Sequence, residues 1–501
     1  MRKISTFLSF PIIFAATLAA YFPILNNTLL SDDYYFAIRT AAMPLSETWG
    51  LFTILPNLVR PLPVLVWWFQ IHLFGGEGLP SHLIDIILHA GAGWALFMLI
   101  SRHGGAIRTA IFSALLFVMA PVGPDAVAWS AARMDTMALL FVLLALFLYL
   151  NYLKSRNTYA YAGSLLAAAA ALLSKEAAVV LIGLMPAAEI IFGGKLPRAR
   201  GNPSSLRSNG GVRSLFLNPR LRTAVLRQLP FFLLFLAYFI TRLALFGGIG
   251  GYTDVIGAPR LTAAAMSTWT LLSPLNSLVF SRITITVFGL MTAGIWATST
   301  FFVLKNWRRT VSGPRRVWLL FTVFSAISTG PIFWFFFVVG LDHSMQDSRF
   351  LYIPTASLIA MTVTGLLEFG PRRGLWQKGI TLVLALAAIA SLWGVRGNNR
   401  LWVHASSVAT TVSNETQRLV PDPPLNSSFY YQGIDYGLGV HIFGNNLQGL
   451  IRWKYGRDDL RVSRLEPEID SRRDAPIYFF SYDLSTDELR LTDTLPPLKA
   501  P

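Results

Sequence analysis

The 501-residue sequence contains no cysteine, which excludes disulfides, thiolate chemistry and cysteine-ligated metal sites. It is also short of charge. Only 14% of its residues are Asp, Glu, Lys or Arg, against roughly 25% in a soluble domain. Acids are scarcest, 26 against 42 basic residues. Hydrophobic residues make up 53% and the mean hydropathy is +0.51. Several apolar runs approach the ~20 residues needed to cross a bilayer. These values exclude a soluble globular chain and imply a polytopic α-helical membrane protein. No internal repeat of solenoid length is present.

Eleven spans are predicted, at 7–25, 82–100, 107–122, 135–153, 158–173, 177–193, 229–246, 283–304, 317–340, 350–369 and 379–396. Arg2 and Lys3 precede the first, which favours a cytoplasmic N-terminus. That run is long for the core of a cleaved signal peptide and reads as a retained anchor. The connections then alternate in charge. One side carries Arg102, Arg108, Lys154, Arg156, Lys305, Arg308, Arg309, Arg315, Arg316, Arg372, Arg373 and Lys378. A loop at 194–228 on the same side adds eight more basic residues and no acid. With Arg2 and Lys3, this side holds 22 of the 42 basic residues. The positive-inside rule accounts for the +16 net charge without nucleic acid, and the basic loop suits anionic headgroups. The expected location is a plasma membrane of the bacterial inner-membrane type, with the C-terminus outside. Residues 1–396 form the membrane domain. Residues 397–501, with 13 of the 26 acids and strand-like runs at 428–431 and 476–480, form a small extracytoplasmic α/β or β-rich domain.

The polar residues that do occur gather on the outer side. The loop at 26–81 opens with the adjacent pair Asp32-Asp33 and includes Arg60. His82, Asp85 and His89 follow on one helical face. The loop at 122–135 holds Asp125, Trp129, Arg133 and Asp135. Lys175-Glu176 form a tight turn, and Arg242 ends the seventh span. The loop at 247–282 carries Tyr252 and Asp254, and the turn at 341–349 is followed by Tyr352. The run Pro61–Phe69 is read as an amphipathic helix in the interface, with its tryptophans at headgroup level. Local pairing of Arg133 with Asp135 and of Lys175 with Glu176 is the simplest structural reading. Ionisable groups at a membrane boundary are costly and therefore functional candidates.

Carboxylates beside Arg and Lys at the outer face suit a substrate with an apolar tail and an anionic head, such as a polyprenyl-phosphate-linked sugar. Arg133, Lys175, Arg242 and Arg349 are the expected phosphate ligands. An Asp takes the proton of the acceptor hydroxyl. Two neighbouring carboxylates separate the roles of base and anchor by raising one pKa.

The order of these motifs resembles the GT-C class of integral-membrane glycosyltransferases. The likeness is closest to the protein O-mannosyltransferase branch and the related transmembrane-TPR transferases. The matching elements are Asp32-Asp33, Arg60-Pro61-Leu62, His82-Leu83 through His89, Pro124-Asp125-Ala126-Val127-Ala128-Trp129 with Arg133 and Asp135, Leu173-Ser174-Lys175-Glu176, and Arg349-Phe350-Leu351-Tyr352-Ile353-Pro354. The resemblance implies a GT-C fold, a lipid-phosphate sugar donor, a protein, glycan or lipid acceptor, and inversion at the anomeric carbon. It implies that Asp32 is the base, with Asp33 its rival, and that Asp125 is a second catalytic acid. Arg60, His82, His89, Asp135, Glu176 and Tyr352 are expected to support them. Where the branch often reads His-Pro-Val-His, this chain has Ala120-Pro121-Val122-Gly123. No cofactor or metal is expected, although oligosaccharyl-transferring relatives use a divalent ion, for which Asp32, Asp33 and Asp125 offer hard oxygens. Two other classes of function fit an outward polar face less well: a lipid-linked glycan flippase, which favours repeated halves and midplane polar groups, and a non-catalytic assembly protein.

Overall fold

The computed structural model describes residues 2–496 apart from residues 45, 48–57, 194–218, 249–257, 372–373, 435–439, 441, 444–445, 465–474 and 484. Most of the basic loop predicted at 194–228, together with Tyr252, Asp254, Arg372 and Arg373, therefore lies outside the described residues.

A helix underlies each of the eleven predicted segments. The first part of the chain runs through α1 (Arg2–Tyr21), α2 (Asp33–Ala41), α3 (Pro61–Phe74), α4 (Gly78–His103), α5 (Ile107–Val118), the one-turn α6 (Pro124–Val127), α7 (Arg133–Ser155), α8 (Thr158–Ser174) and α9 (Leu181–Phe192). It continues through α10 (Pro219–Phe246), α11 (Leu261–Leu272), α12 (Arg282–Asn306), α13 (Ser312–Ser328), α14 (Tyr352–Phe369) and α15 (Leu375–Leu419). Six stretches among the described residues are long and apolar enough to cross a membrane by length and composition, at 78–103, 130–155, 222–246, 282–306, 348–369 and 375–419. The predicted span 317–340 is divided between α13 and a π-helical turn at Trp334–Val339.

The centre of the bundle is α4 and α7, packed on α1, α5 and α8. Their contact surfaces are rich in small residues, among them Ala92, Gly93, Ala145, Ala167, Ala168 and Ala171. Without a hydrophobic drive between helices in lipid, this close backbone approach is what holds them together. α3 departs from the amphipathic pattern expected of it. Gln70 and Trp67 face inward, while Phe69, Leu73 and Phe74 are exposed. Its polar group therefore points into the protein beside Val64, Trp67 and Ile71, and its outer face is apolar, an arrangement suited to lipid on the outside.

α15 is 45 residues long, about 67 Å at 1.5 Å per residue, against a hydrocarbon layer of about 30 Å. The predicted boundary at 396/397 falls inside this continuous helix. Near its middle, the buried Asn398 donates to the carbonyls of Pro121 and Pro274 at 2.7 and 2.9 Å, and Asn399 donates to that of Ala20 at 3.1 Å. The small domain beyond it contains β1 (Ser428–Gln432), α16 (Leu447–Tyr455), β2 (Arg461–Ser463), β3 (Ile477–Asp483) and β4 (Glu488–Leu495). The strands lie in the order β2-β1-β3-β4, parallel except for β3–β4. The two predicted strand-like runs are thus β1 and β3, and the domain is α/β.

This domain rests on the segment that carries the acidic pair. The Ser31 N–H donates to the Ile442 carbonyl at 3.1 Å, and Ser31 takes a left-handed φ of 50°, uncommon for a residue with a Cβ. α16 packs on α2, with Gly449 against the Tyr34 side chain: a Cβ at 449 would lie 2.9 Å from the Tyr34 Cβ and 2.5 Å from the Asn446 Oδ1. Gly449→Ala is therefore expected to loosen this seat by about 1–3 kcal/mol, as overpacking does. Limited proteolysis between α15 and β1 checks it: faster cleavage in the variant is the expected result, and equal rates would show that the seat tolerates the methyl.

Candidate active site

The acidic pair is split by its local structure. Asp33 opens α2 and is buried, while Asp32, at the N-cap, keeps part of its surface exposed. The Asp33 Oδ2 accepts the Leu30 N–H at 2.9 Å and its Oδ1 accepts the Ala131 N–H at 2.6 Å. Asp33 thus ties its own turn to the loop between α6 and α7. Burial pushes its carboxyl up to about 8; its two backbone donors pull the other way, the charge of Asp85 adds to the rise, and Arg133 opposes it. The rise expected from repulsion between neighbouring carboxylates arises at Asp33 mainly from burial.

The loop that Asp33 holds bears several of the predicted residues. Asp125 lies on α6 and accepts the Arg349 N–H at 3.0 Å, with the Arg349 Nη1 at 3.4 Å. The other side of the Arg349 guanidinium pairs with Asp347 at 2.6 Å, and it lies 4.9 Å from the centroid of Trp129 and 5.1 Å from that of Phe350. Trp129 in turn stacks on Trp402 of α15.

The remaining ion pairs are not the sequence-local ones. Arg133, fully buried, pairs with Asp85 at 3.0 Å, donates to Gln70 at 2.7 Å and to Ser81 at 2.9 Å, and lies over the Trp67 ring at 4.4 Å. Asp135 instead receives Lys175 on both oxygens, at 2.6 and 2.7 Å, and both residues are buried. Glu176 is gripped by both Nε and Nη2 of Arg60. The expected neighbours Arg133–Asp135 and Lys175–Glu176 therefore exchange partners across the bundle, and α7 and the α8–α9 turn are bound to α3 and α4 in the process. Glu176 is held down to about 2: burial raises it, but the charge and hydrogen bonds of Arg60 and the charge of Lys175 outweigh that.

Other predicted site residues are placed as follows. Arg133, read as a phosphate ligand, has its donors committed to protein. Arg242 is buried on α10 and donates to Tyr238 one turn away at 2.8 Å, a placement inside a span. His89 bonds the Tyr352 hydroxyl at 2.6 Å and the Val118 carbonyl at 3.1 Å, so both residues tie α4 to α14 and α5. His82 is fully buried at the start of α4, and Asp85 on the same helix is turned to Arg133 and to Ser130, at 2.6 Å from the latter. Gly123, where the branch often has histidine, has the space of its missing Cβ taken by the Tyr21 hydroxyl. Gln70, Ser81 and Ser130 were not anticipated. A lone amide in the apolar run Pro61–Phe74 is the one signal that could have marked Gln70.

Three cavities surround this cluster. One, small enough for about one water, is lined by Asp135, Lys175, Arg349 and Phe350. A second of similar size is lined by Asp125, Ser348, Asn398 and Trp402. The third, about 150 Å³ and almost wholly apolar, lies between α5, α11, α12, α14 and α15. The second and third share Pro121, which separates the apolar space from the small one beside Asp125.

Comparison with known proteins accords with this geometry. Residues 59–193 match the family model described as dolichyl-phosphate-mannose-protein mannosyltransferase. That segment contains Arg60, Asp85, Asp125, Arg133, Asp135, Lys175 and Glu176, and leaves Asp32, Asp33 and Arg349 outside. The human protein O-mannosyl-transferase TMTC4 is 28% identical over 157 residues, 27% of this chain and 21% of its own. Its mouse counterpart is 27% identical over 159 residues, 27% of this chain and 22% of its own. The chain spans about a fifth of the length of these curated relatives. The crystal structure of apo ArnT from Cupriavidus metallidurans superposes with a TM-score of 0.55 at 13% identity, covering 95% of this chain and 93% of ArnT. ArnT bound to undecaprenyl phosphate gives 0.54 at 13% identity, covering 96% and 94%.

Two stability experiments probe the ion pairs. Asp135→Asn leaves Lys175 buried without its counter-charge and is expected to cost roughly 3–5 kcal/mol, with the double variant Asp135→Leu/Lys175→Met costing less. Thermal unfolding in detergent decides it, and a double variant as unstable as the single would refute the pairing argument. For Glu176, the folded value lies below the ordinary 4.5, so its stabilisation is present above pH 4.5 and lost as pH falls through about 2. Glu176→Gln should be less stable than wild type at pH 6, and the difference should shrink toward pH 3. With these matches together, the chain has an ArnT-like fold and, over residues 59–193, is similar to the dolichyl-phosphate-mannose-protein mannosyltransferase family.

Proposed function

We propose that the protein transfers a sugar from a polyprenyl-phosphate carrier to a protein, glycan or lipid acceptor at the membrane face that bears Asp32. The observation that carries this reading is an apolar cavity that shares Pro121 with the small cavity beside Asp125, the partner of Arg349. A carrier tail fits the apolar cavity and a phosphate the Asp125–Arg349 pair. That a protein of the same fold, ArnT, is solved with undecaprenyl phosphate supports the carrier class. The small span of sequence shared with the O-mannosyltransferases supports hexose transfer.

Arg349 is the best placed phosphate ligand. It is less buried than Arg60, Arg133 or Lys175, and it lines the same small cavity as Lys175. A planar guanidinium binds phosphate through paired donors. As phosphate enters, Arg349 would share its donors between phosphate and the carboxylates of Asp125 and Asp347. Lys175 would do so only if Asp135 released it in part. Asp32 is the base of choice over Asp33, whose oxygens are both occupied by backbone N–H groups. In the step itself, the acceptor oxygen attacks the anomeric carbon and gives its proton to Asp32. The bond from that carbon to the phosphate oxygen breaks, and the lipid phosphate leaves on the opposite face with inversion. Trp129 and Phe350, flanking Arg349, keep water from the phosphate. No step in this scheme calls for a metal, and Asp33 and Asp125 are engaged by protein donors.

Asp32→Asn is expected to reduce transfer by at least 10²-fold, the usual scale for a general base, with expression retained. A rate like that of wild type would remove Asp32 from this role. Arg349→Ala and Lys175→Ala should each weaken binding of a short-chain polyprenyl-phosphate sugar, measured by isothermal titration on the purified protein. Unchanged affinity in both would place the phosphate elsewhere.

A further inference from the structure

A larger groove runs along α15 next to the Asp125 cavity: Gly397 lines the groove and its neighbour Asn398 lines the cavity. It encloses about 430 Å³, more than any of the three cavities around the site. Its floor is Phe280, whose ring occupies the space above Gly397 and meets Trp393 edge-on at 4.6 Å. Its rim is cationic, formed by Arg396 and Arg400.

Three features together specify a ligand. First, Ile389, Trp393, Arg396 and Arg400 follow one another at spacings of four, three and four, so they form one stripe of about 16 Å along the helix. The stripe passes from aliphatic to aromatic to cationic in the direction that leaves the membrane, which is the sequence acyl chain, interface, phosphate of a lipid. Ile389 and Trp393 are 64% and 52% exposed. Second, two like charges at i, i+4 repel each other on a helix, and an anion between them relieves this. Third, no carboxylate lines the groove. Arg400 makes no hydrogen bond or ion pair among the described residues, and Arg396 makes one, from Nε to the Ala19 carbonyl at 3.0 Å. Inside the bundle, Arg60, Arg133, Lys175 and Arg349 each have a carboxylate.

We propose that this groove seats an anionic phospholipid of the leaflet on the Asp32 side, with its acyl chain against Ile389 and Phe280 and its phosphate between Arg396 and Arg400. The site is separate from the carrier site and does not depend on the transferase reading. The lipid packs against the helix whose Asn398 and Asn399 hold the Pro121 and Ala20 carbonyls, so its occupancy steadies the α15 contacts beside the reaction centre.

The test uses the full chain in nanodiscs containing brominated phosphatidylglycerol or brominated phosphatidylcholine. The Trp393 signal is taken as the difference between the protein and its W393F variant. Stronger quenching by the anionic lipid is expected, with the preference falling about fivefold for each arginine removed, in R400Q and then in R396Q/R400Q. R396K/R400K should keep the preference. R400Q disturbs no internal contact among the described residues, so it reports on lipid even if loss of the Arg396 bond to Ala19 unsettles the double variant. Equal quenching by the two lipids in the unmodified protein, or an unchanged preference in R400Q, would overturn the proposal.

Discussion

The structure depends on the rule that a charge inside an apolar bundle must have its counter-charge and its hydrogen bonds at hand. Lys175–Asp135 and Arg133–Asp85 obey it with both partners buried, and Arg60–Glu176 obeys it through a bidentate grip. Each pair joins segments far apart in the chain. Cutting any one strands a charge rather than removing a contact, so α3, α4, α7 and the α8–α9 turn behave as one unit. These charges are therefore first a framework. Arg349, between two carboxylates and two aromatic rings, is the point at which that framework meets accessible space.

The same rule separates two adjacent aspartates that sequence alone leaves equivalent. Asp33 faces inward and accepts backbone N–H groups, which makes it a strut between the first outer segment and the loop bearing Asp125 and Trp129. Asp32, one residue earlier, sits at the helix cap with part of its surface exposed. The strut holds the turn on which its neighbour sits.

Much of this was legible in the sequence, and the reasons are specific. Hydropathy located a helix under every predicted span because backbone groups in lipid must bond internally. The alternating strand runs at 428–431 and 476–480 became β1 and β3. The residues around Asp125, Lys175 and Arg349 did assemble. Pairing was what sequence could not give. Arg133 stands two residues from Asp135 and Lys175 next to Glu176, yet residues two apart on a helix, or on either side of a sharp turn, do not face each other. Their partners come from other elements, chosen by helix packing. Likewise, the inward turn of Gln70 on α3 and the Tyr21 hydroxyl in the space beside Gly123 depend on contacts with other elements, α4, α7 and α1, which no local signal encodes.

The hydrogen bond from Ser31 to Ile442 joins two points separated by more than four hundred residues. Synthesis and insertion proceed from the N-terminus, so the corner that presents Asp32 stays unfinished while the intervening helices are threaded into the membrane. It closes only after the small domain beyond α15 has folded. A chain stalled or truncated before that point would hold its helices and its buried ion pairs but lack the backbone contact that fixes Ser31 in its left-handed turn. Assembly thus has an order, in which a later part of the chain completes an earlier one.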